Sequence, residues 1–230
     1  MIFYSKFLKN GFKKMNNQVV SKKRVNDHGE VYTAKREVSA MLDLVKQETE
    51  RIESRFLEPA CGTGNFLADV LKRKLRVVKS RYGKNQLEYE RYSVIAVSSI
   101  YGIDILEDNV IKCRNRLSNI FNEKYSILFK DNSKEEVEST VKYIFNKNII
   151  CGDALTFNTV GDNPMPIIFS EWSLVNGSNI KRRDFAFHEL LSHARHRELP
   201  LFSDLGEDVF IPEPVKEYPL IHFLRIPDVD

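Results

Sequence analysis

The run FLEPACGTGNF, residues 56–66, constrains the fold of this chain more than any other stretch. Residues 55–59 are too few for a helix, and Pro59 stops a regular ladder. Beyond the glycines, Phe66, Leu67, Val70, Leu71 and Leu75 recur at helical spacing, the pattern of a helix with one buried face. A short strand therefore passes through a glycine elbow into a helix. Such an elbow lets the backbone approach a ligand closely, and the first helical turn presents free N–H groups to it. Glu58 at the strand end repels a pyrophosphate and suits an ammonium or a sulfonium. The elbow lacks the third glycine of GxGxxG and is not a P-loop. Taken alone, it is equally well a plain tight turn.

The flanking segments predict an alternation of strands and helices. Val38, Met41, Leu42, Val45 and Ile52 form an apolar stripe that predicts a helix within 31–52, with Thr33 as its N-cap. Further helices are predicted over 87–99, around Val110, Cys113, Leu117, Ile120 and Phe121, and around Val137, Val141, Ile144 and Phe145. Between them lie β-prone pieces at 100–104, 148–151 and 166–169. This order predicts a parallel sheet covered by helices. From Pro164 onward the character changes, with seven of the eight prolines in the last 67 residues. The segment IPEPVKEYP there supports neither a helix nor a central strand, and is expected to be an extended strap on the surface or on a partner.

Composition narrows the class. A chain of 230 residues with 42% hydrophobic positions can bury a self-sufficient core. Three cysteines, Cys61, Cys113 and Cys151, form no CxxC pair, which argues for a reducing compartment and against a zinc ribbon. No apolar run approaches the ~20 residues that span a bilayer, so a cytoplasmic protein is expected, with no membrane partner. A net charge of +3 tolerates a polyanionic partner without establishing one. Lys6, Lys9, Lys13 and Lys14 mark residues 1–20 as a basic arm, in which Met15 is a candidate start.

The elbow and its surroundings resemble the S-adenosylmethionine-binding motif of adenine-N6 DNA methyltransferases, in particular modification subunits of type I and type IIG restriction systems. GEVYTAKREVSAML, from Gly29, is similar to that family's preceding segment, whose threonine turn closes over the methionine end of the cofactor. The resemblance assigns Thr33, Glu58, Ala60, Gly62, Gly64, Asn65, Asp104 and Asp153 to the cofactor, Asp104 taking the ribose hydroxyls and Asp153 the adenine amine. It implies a Rossmann-like, doubly wound α/β methyltransferase fold, truncated on its C-terminal side. In such a sheet ligands sit beyond the carboxyl ends of the strands, so Glu58, Asp104 and Asp153 are expected along one edge. Either Asp is also a plain helix or turn cap.

The sequence departs from the family at two places. Ala34 replaces the usual proline after the threonine. The catalytic Asn-Pro-Pro-aromatic motif is replaced after the strand PIIF by Ser170, Glu171 and Trp172. These three are the candidate base contacts, with Trp172 supplying an aromatic face for a flipped base; Trp172 also reads as a core or interface anchor. Lys181, Arg182, Arg183, Arg195 and Arg197 are candidate phosphate contacts or a solvated face. His188 and His193 are five residues apart, unlike HExxH, and no metal is expected.

The expected organisation is a basic arm (1–20), a methyltransferase-like cofactor-binding domain (21–172) and a proline-rich extension (173–230). The expected function is S-adenosylmethionine-dependent adenine-N6 methylation of DNA in a restriction-modification system, with DNA and a specificity or restriction chain as partners. The alternatives are a catalytically inactive cofactor-binding subunit that assembles with or regulates another modification or restriction chain, and a methyltransferase for RNA or protein.

Overall fold

The computed structural model describes Arg24 and residues 33–191 and 212–229. The basic arm with Met15, the start of the segment at Gly29, and His193, Arg195, His196 and Arg197 lie outside the described residues.

Three parallel strands form the centre: β1 (Phe56–Glu58), β2 (Ile100–Asp104) and β3 (Ile149–Asp153). Phe56 pairs with Ile100 and Glu58 with Gly102, while Gly102 pairs with Ile149 and Asp104 with Cys151. A two-residue β4 (Asn158–Thr159) runs antiparallel on the β3 edge. The strands alternate with helices as the periodicity predicts. The broken first helix is α1 (Lys35–Leu44) and α2 (Lys46–Thr49); α3 (Asn65–Tyr82) and α4 (Gln86–Ser98) connect β1 to β2; α5 (Glu107–Phe129) and α6 (Glu135–Asn148) connect β2 to β3. This is a mixed α/β fold with the Rossmann-like alternation of parallel strands and helices.

Burial explains these elements. In α3, Leu67, Val70, Leu71, Leu75 and Val78 are fully covered, and their spacing places them on one face. Every residue of β2 is buried, as expected for a central parallel strand. Among these apolar groups lies Lys74, whose Nζ donates to the carbonyl oxygens of Arg51 (3.0 Å), Ile52 (2.8 Å) and Ser54 (2.6 Å). One ammonium thus ties down the turn that leads into β1.

The helix expected over 31–52 is interrupted. Its N-cap is Ala34, not Thr33, and the Glu37 carboxylate accepts from the Ala34 N–H at 3.3 Å. The helical bonds stop at Val45, which takes φ −117° and ψ 34°. The apolar stripe is dense only through Leu42, and the polar run that follows provides little burial to continue it.

The larger difference lies after residue 166. The strand expected at 166–169 is β5 (Ile168–Leu174), and it does not pair with β1. It forms a hairpin with β6 (Asn179–Ala186), in register from Ile168↔Ala186 to Leu174↔Ile180. Asn176 and Gly177 turn the chain, Gly177 at φ 55°, and an Asn-Gly turn between two β-prone runs is a hairpin signal. Strand β5 therefore runs across the expected boundary after residue 172.

Residues 212–229 of the proline-rich end lie on their own chain. Two short strands, β7 (Lys216–Glu217) and β8 (Ile221–His222), pair with β6. The turn Phe223–Asp228 then buries Phe223 and Ile226, with the Thr140 hydroxyl donating to the Phe223 carbonyl at 3.2 Å.

Replacing Lys74 by Met, which fills similar space, removes the donor from three carbonyls. Lys74→Met is expected to lower unfolding free energy by about 2–3 kcal/mol, measured by urea denaturation; an unchanged midpoint would show that the turn holds without the ammonium.

Candidate functional site

Glu58, Asp104 and Asp153 are the last residues of β1, β2 and β3. Parallel pairing brings strand ends of one polarity together, and so brings these carboxylates to one edge. The glycine elbow rises beside them. Gly62 and Gly64 have φ 51° and 79°, the left-handed region that favours glycine. A Cβ on Gly64 would lie 2.6 Å from the Cys113 Sγ, and one on Gly102 would lie 2.9 Å from Leu67 and 3.1 Å from the Cys61 Sγ. The elbow is thus packed directly onto β2 and α5.

Hydrogen bonds hold this packing. The Cys61 N–H donates to the Ile103 carbonyl at 2.9 Å, and the Gly64 N–H to the Cys61 carbonyl at 2.8 Å. The Asp104 carboxylate accepts from the Gly62 N–H at 2.8 Å through Oδ2. Its Oδ1 accepts from the Leu106 N–H at 2.9 Å and from the Asn109 amide at 3.2 Å. Asp153 accepts from the Leu155 N–H at 2.8 Å, a local turn that leaves its other oxygen available.

Around these groups lies a cavity of about 440 Å³, lined among others by Thr33, Glu58, Ala60, Gly62, Asn65, Asp104 and Asp153, within the usual size of small-molecule sites. Gly64 adjoins it as the N-cap of α3. Asn65 reaches two neighbours at the rim, donating to the Thr33 carbonyl at 3.4 Å and accepting from Arg116. Phe66, Ile105, Leu106 and Leu155 supply apolar wall, and Ile105 and Leu155 are 47% and 88% exposed. Sequence reasoning missed Ile105, Leu155 and Asn109. The first two had a readable signal, because each follows closely on a strand-terminal acid.

Glu58 is electrostatically the least settled of the acids. Its Oε2 is buried with no donor among the described residues. Burial, then the neighbouring Cys113 thiol and the Asp104 carboxylate, push its pKa well above the usual carboxylate range. The Cys61 thiol is also held far above its ordinary value, by its hydrogen bond with the Cys113 thiol and by burial, so it is no thiolate nucleophile.

Ser170, Glu171 and Trp172 are not brought to this cavity. They sit in the middle of β5, where Ser170 donates to Asp184 at 2.7 Å and the Trp172 Nε1 donates to Asn148 at 3.3 Å. Trp172 is 7% exposed and belongs to the main core. It borders a second hollow of about 400 Å³, shared with Arg55, Ser99 and Tyr101. Arg55 and Ser99 immediately precede β1 and β2, so this hollow lies at the amino ends of the strands, opposite the carboxylates. Glu171 pairs with Arg55 and, at 3.1 Å, with Arg183. Lys181 pairs with Glu217 at 2.8 Å, and the buried Arg182 with Asp184 at 2.8 Å. Lys181, Arg182 and Arg183 are therefore each committed to a carboxylate. Among the described residues no group of histidine, cysteine and acidic side chains could hold a metal ion, and no helix is long and apolar enough to cross a membrane.

Strand-terminal acids, a glycine elbow and a cavity lie together at the carboxyl edge of a parallel sheet, the edge at which Rossmann-like folds take their ligands. The family described as "MmeI, DNA-methyltransferase domain" matches residues 32–162, more than half of the chain and the stretch that contains this whole cavity. The chain belongs to that family of restriction-modification DNA methyltransferases. No curated protein and no solved structure matches it.

Two outcomes follow from this geometry. Gly64→Ala should cost about 2–4 kcal/mol, from the left-handed backbone and the clash with Cys113, and adding Cys113→Ala should recover only the steric part in urea unfolding. With Glu58 raised, the folded chain keeps a proton that the unfolded chain has released. Stability should therefore fall as pH rises from the ordinary carboxylate range through the raised value, and Glu58→Gln should flatten that slope in a series of thermal melts.

Proposed function

We propose that this chain is the cofactor-binding part of an S-adenosylmethionine-dependent DNA methyltransferase of a restriction-modification system, directed at the N6 amine of adenine. The observation that carries the reading is the convergence of Glu58, Asp104, Asp153 and the glycine elbow on one cavity inside the family-matched stretch.

The residues present fit the cofactor. A buried carboxyl oxygen without a donor, on Glu58, is a counter-group for a cation, and an incoming ammonium or sulfonium would draw it into its ionised form. Asp104 offers an acceptor for ribose and Asp153 one for an exocyclic amine, while Ile105 and Leu155 provide apolar surface for a purine. Ala60, Gly62 and Gly64 leave room for close approach, and Thr33 and Asn65 form the rim. When bound, S-adenosylmethionine supplies a methyl group made electrophilic by its sulfonium. The protein's part is to orient it, exclude water and present the target amine.

Ser170, Glu171 and Trp172 are proposed as base contacts on the resemblance alone. Their distance from the cavity favours a second reading, a catalytically silent subunit that binds the cofactor and acts through another modification or restriction chain. Trp172 is committed to the core, and the Ser170 hydroxyl is engaged by Asp184 and Arg182.

Calorimetry with S-adenosylmethionine tests the shared premise. Binding should occur and release a proton near the raised Glu58 pKa, seen as a heat that depends on buffer ionisation; no binding at high protein concentration overturns both readings. Transfer of labelled methyl groups to DNA then selects the enzyme. Binding without transfer, alone or with a partner chain, selects the silent subunit, and transfer to RNA but not DNA redirects the substrate.

A further inference from the structure

Asp104 has more partners than its place at a cavity wall requires. A carboxylate oxygen accepts at two positions. On Oδ1 both are taken, by the Leu106 N–H at 2.9 Å and the Asn109 side-chain amide at 3.2 Å. On Oδ2 one is taken, by the Gly62 N–H at 2.8 Å. A single acceptor position, on Oδ2, is left for anything that enters the cavity. Asn109 itself is 1% exposed, and its carbonyl oxygen accepts from the Arg24 guanidinium at 3.3 Å. That guanidinium also grips both oxygens of Asp108, at 2.9 and 3.1 Å. A continuous chain of hydrogen bonds therefore runs from Arg24 through Asn109 and Asp104 to the backbone of the glycine elbow.

We infer that Asn109 is a positioning residue, which saturates one oxygen of Asp104 so that the carboxylate accepts one sugar hydroxyl of the nucleoside and not two, and that Arg24 sets Asn109 from the outside. The inference rests on the cofactor reading above and refines it. It replaces the simple picture of an acid spanning both ribose hydroxyls with a one-point contact. Asn109 suits this role because its amide donates on one side and accepts on the other. The two sides face Asp104, which needs a donor, and Arg24, which needs an acceptor. Leucine is close to asparagine in size and can do neither.

The test uses the full chain and calorimetry with S-adenosylhomocysteine and its 2′-deoxy and 3′-deoxy ribose analogues. A hydrogen bond to a charged acceptor is worth at least about tenfold in affinity, so in the unaltered chain one deoxy analogue should bind at least about tenfold more weakly than the other. In Asn109→Leu the freed Oδ1 lets the carboxylate reach either hydroxyl, and the ratio between the two analogues should fall towards one. Arg24→Gln, a partly exposed change that leaves the core intact, should move the ratio the same way, and the double variant should go no further than Asn109→Leu. Arg24→Gln alone also carries the test if Asn109→Leu does not fold. A lowered melting temperature with an unchanged ratio overturns the inference and leaves Asn109 a packing residue. Equal binding of both analogues by the unaltered chain also overturns it. Absence of binding by every ligand overturns the cofactor reading instead, together with this refinement.

Discussion

The bond from the Gly62 N–H to the Asp104 carboxylate joins the two parts of the chain on which the rest of the site depends. Gly62 belongs to the turn after β1, and Asp104 ends β2, 42 positions later. Parallel pairing fixes how far each strand projects, and Gly102, lacking a Cβ, lets the elbow settle onto β2. The carboxylate then pins the elbow in the left-handed conformation its glycines permit. Without that anchor, the first N–H groups of α3 would have no fixed direction.

Two buried cations lie towards the amino ends of the strands, and the Glu58 carboxyl closes β1 at the other end. At the amino ends of the strands both cations are matched: Lys74 holds three carbonyls, and Arg182 is enclosed by Asp184, Ser170 and the Tyr143 hydroxyl. At the carboxyl ends the Glu58 Oε2 has no donor among the described residues. Burying such a group without a partner is costly, and this cost falls at the carboxyl edge, beside the cavity.

Much of this was legible in the sequence wherever local pattern and tertiary burial agree. The stripe of Leu67, Val70, Leu71 and Leu75 is a helix in both, and the apolar run at Ile100–Asp104 is a buried strand in both. The acids at strand ends were legible because a parallel sheet turns their spacing along the chain into proximity. What escaped detection depends on longer-range geometry. The partner of β5 is β6, and only the Asn-Gly turn announces it. Val45 breaks a helix because the burial that would sustain it ends. Asn109 touches Asp104 and Arg24, and no periodicity in one chain reveals that its amide faces both. Lys181, Arg182 and Arg183 look alike as a basic cluster, yet strand alternation turns Arg182 inward and leaves its neighbours to Glu217 and Glu171.

The Asn148 side chain, at the junction of α6 and β3, donates to the carbonyls of Ser98 and Ile100 at 3.1 and 3.2 Å and accepts from the indole of Trp172. One amide thus rivets the antiparallel hairpin to the parallel sheet. Exchange of the indole for an aliphatic residue strands the amide oxygen, and exchange of the amide strands two backbone carbonyls and the indole nitrogen. Divergence at this rivet is therefore obliged to be concerted, with the helix terminus and the hairpin changing together.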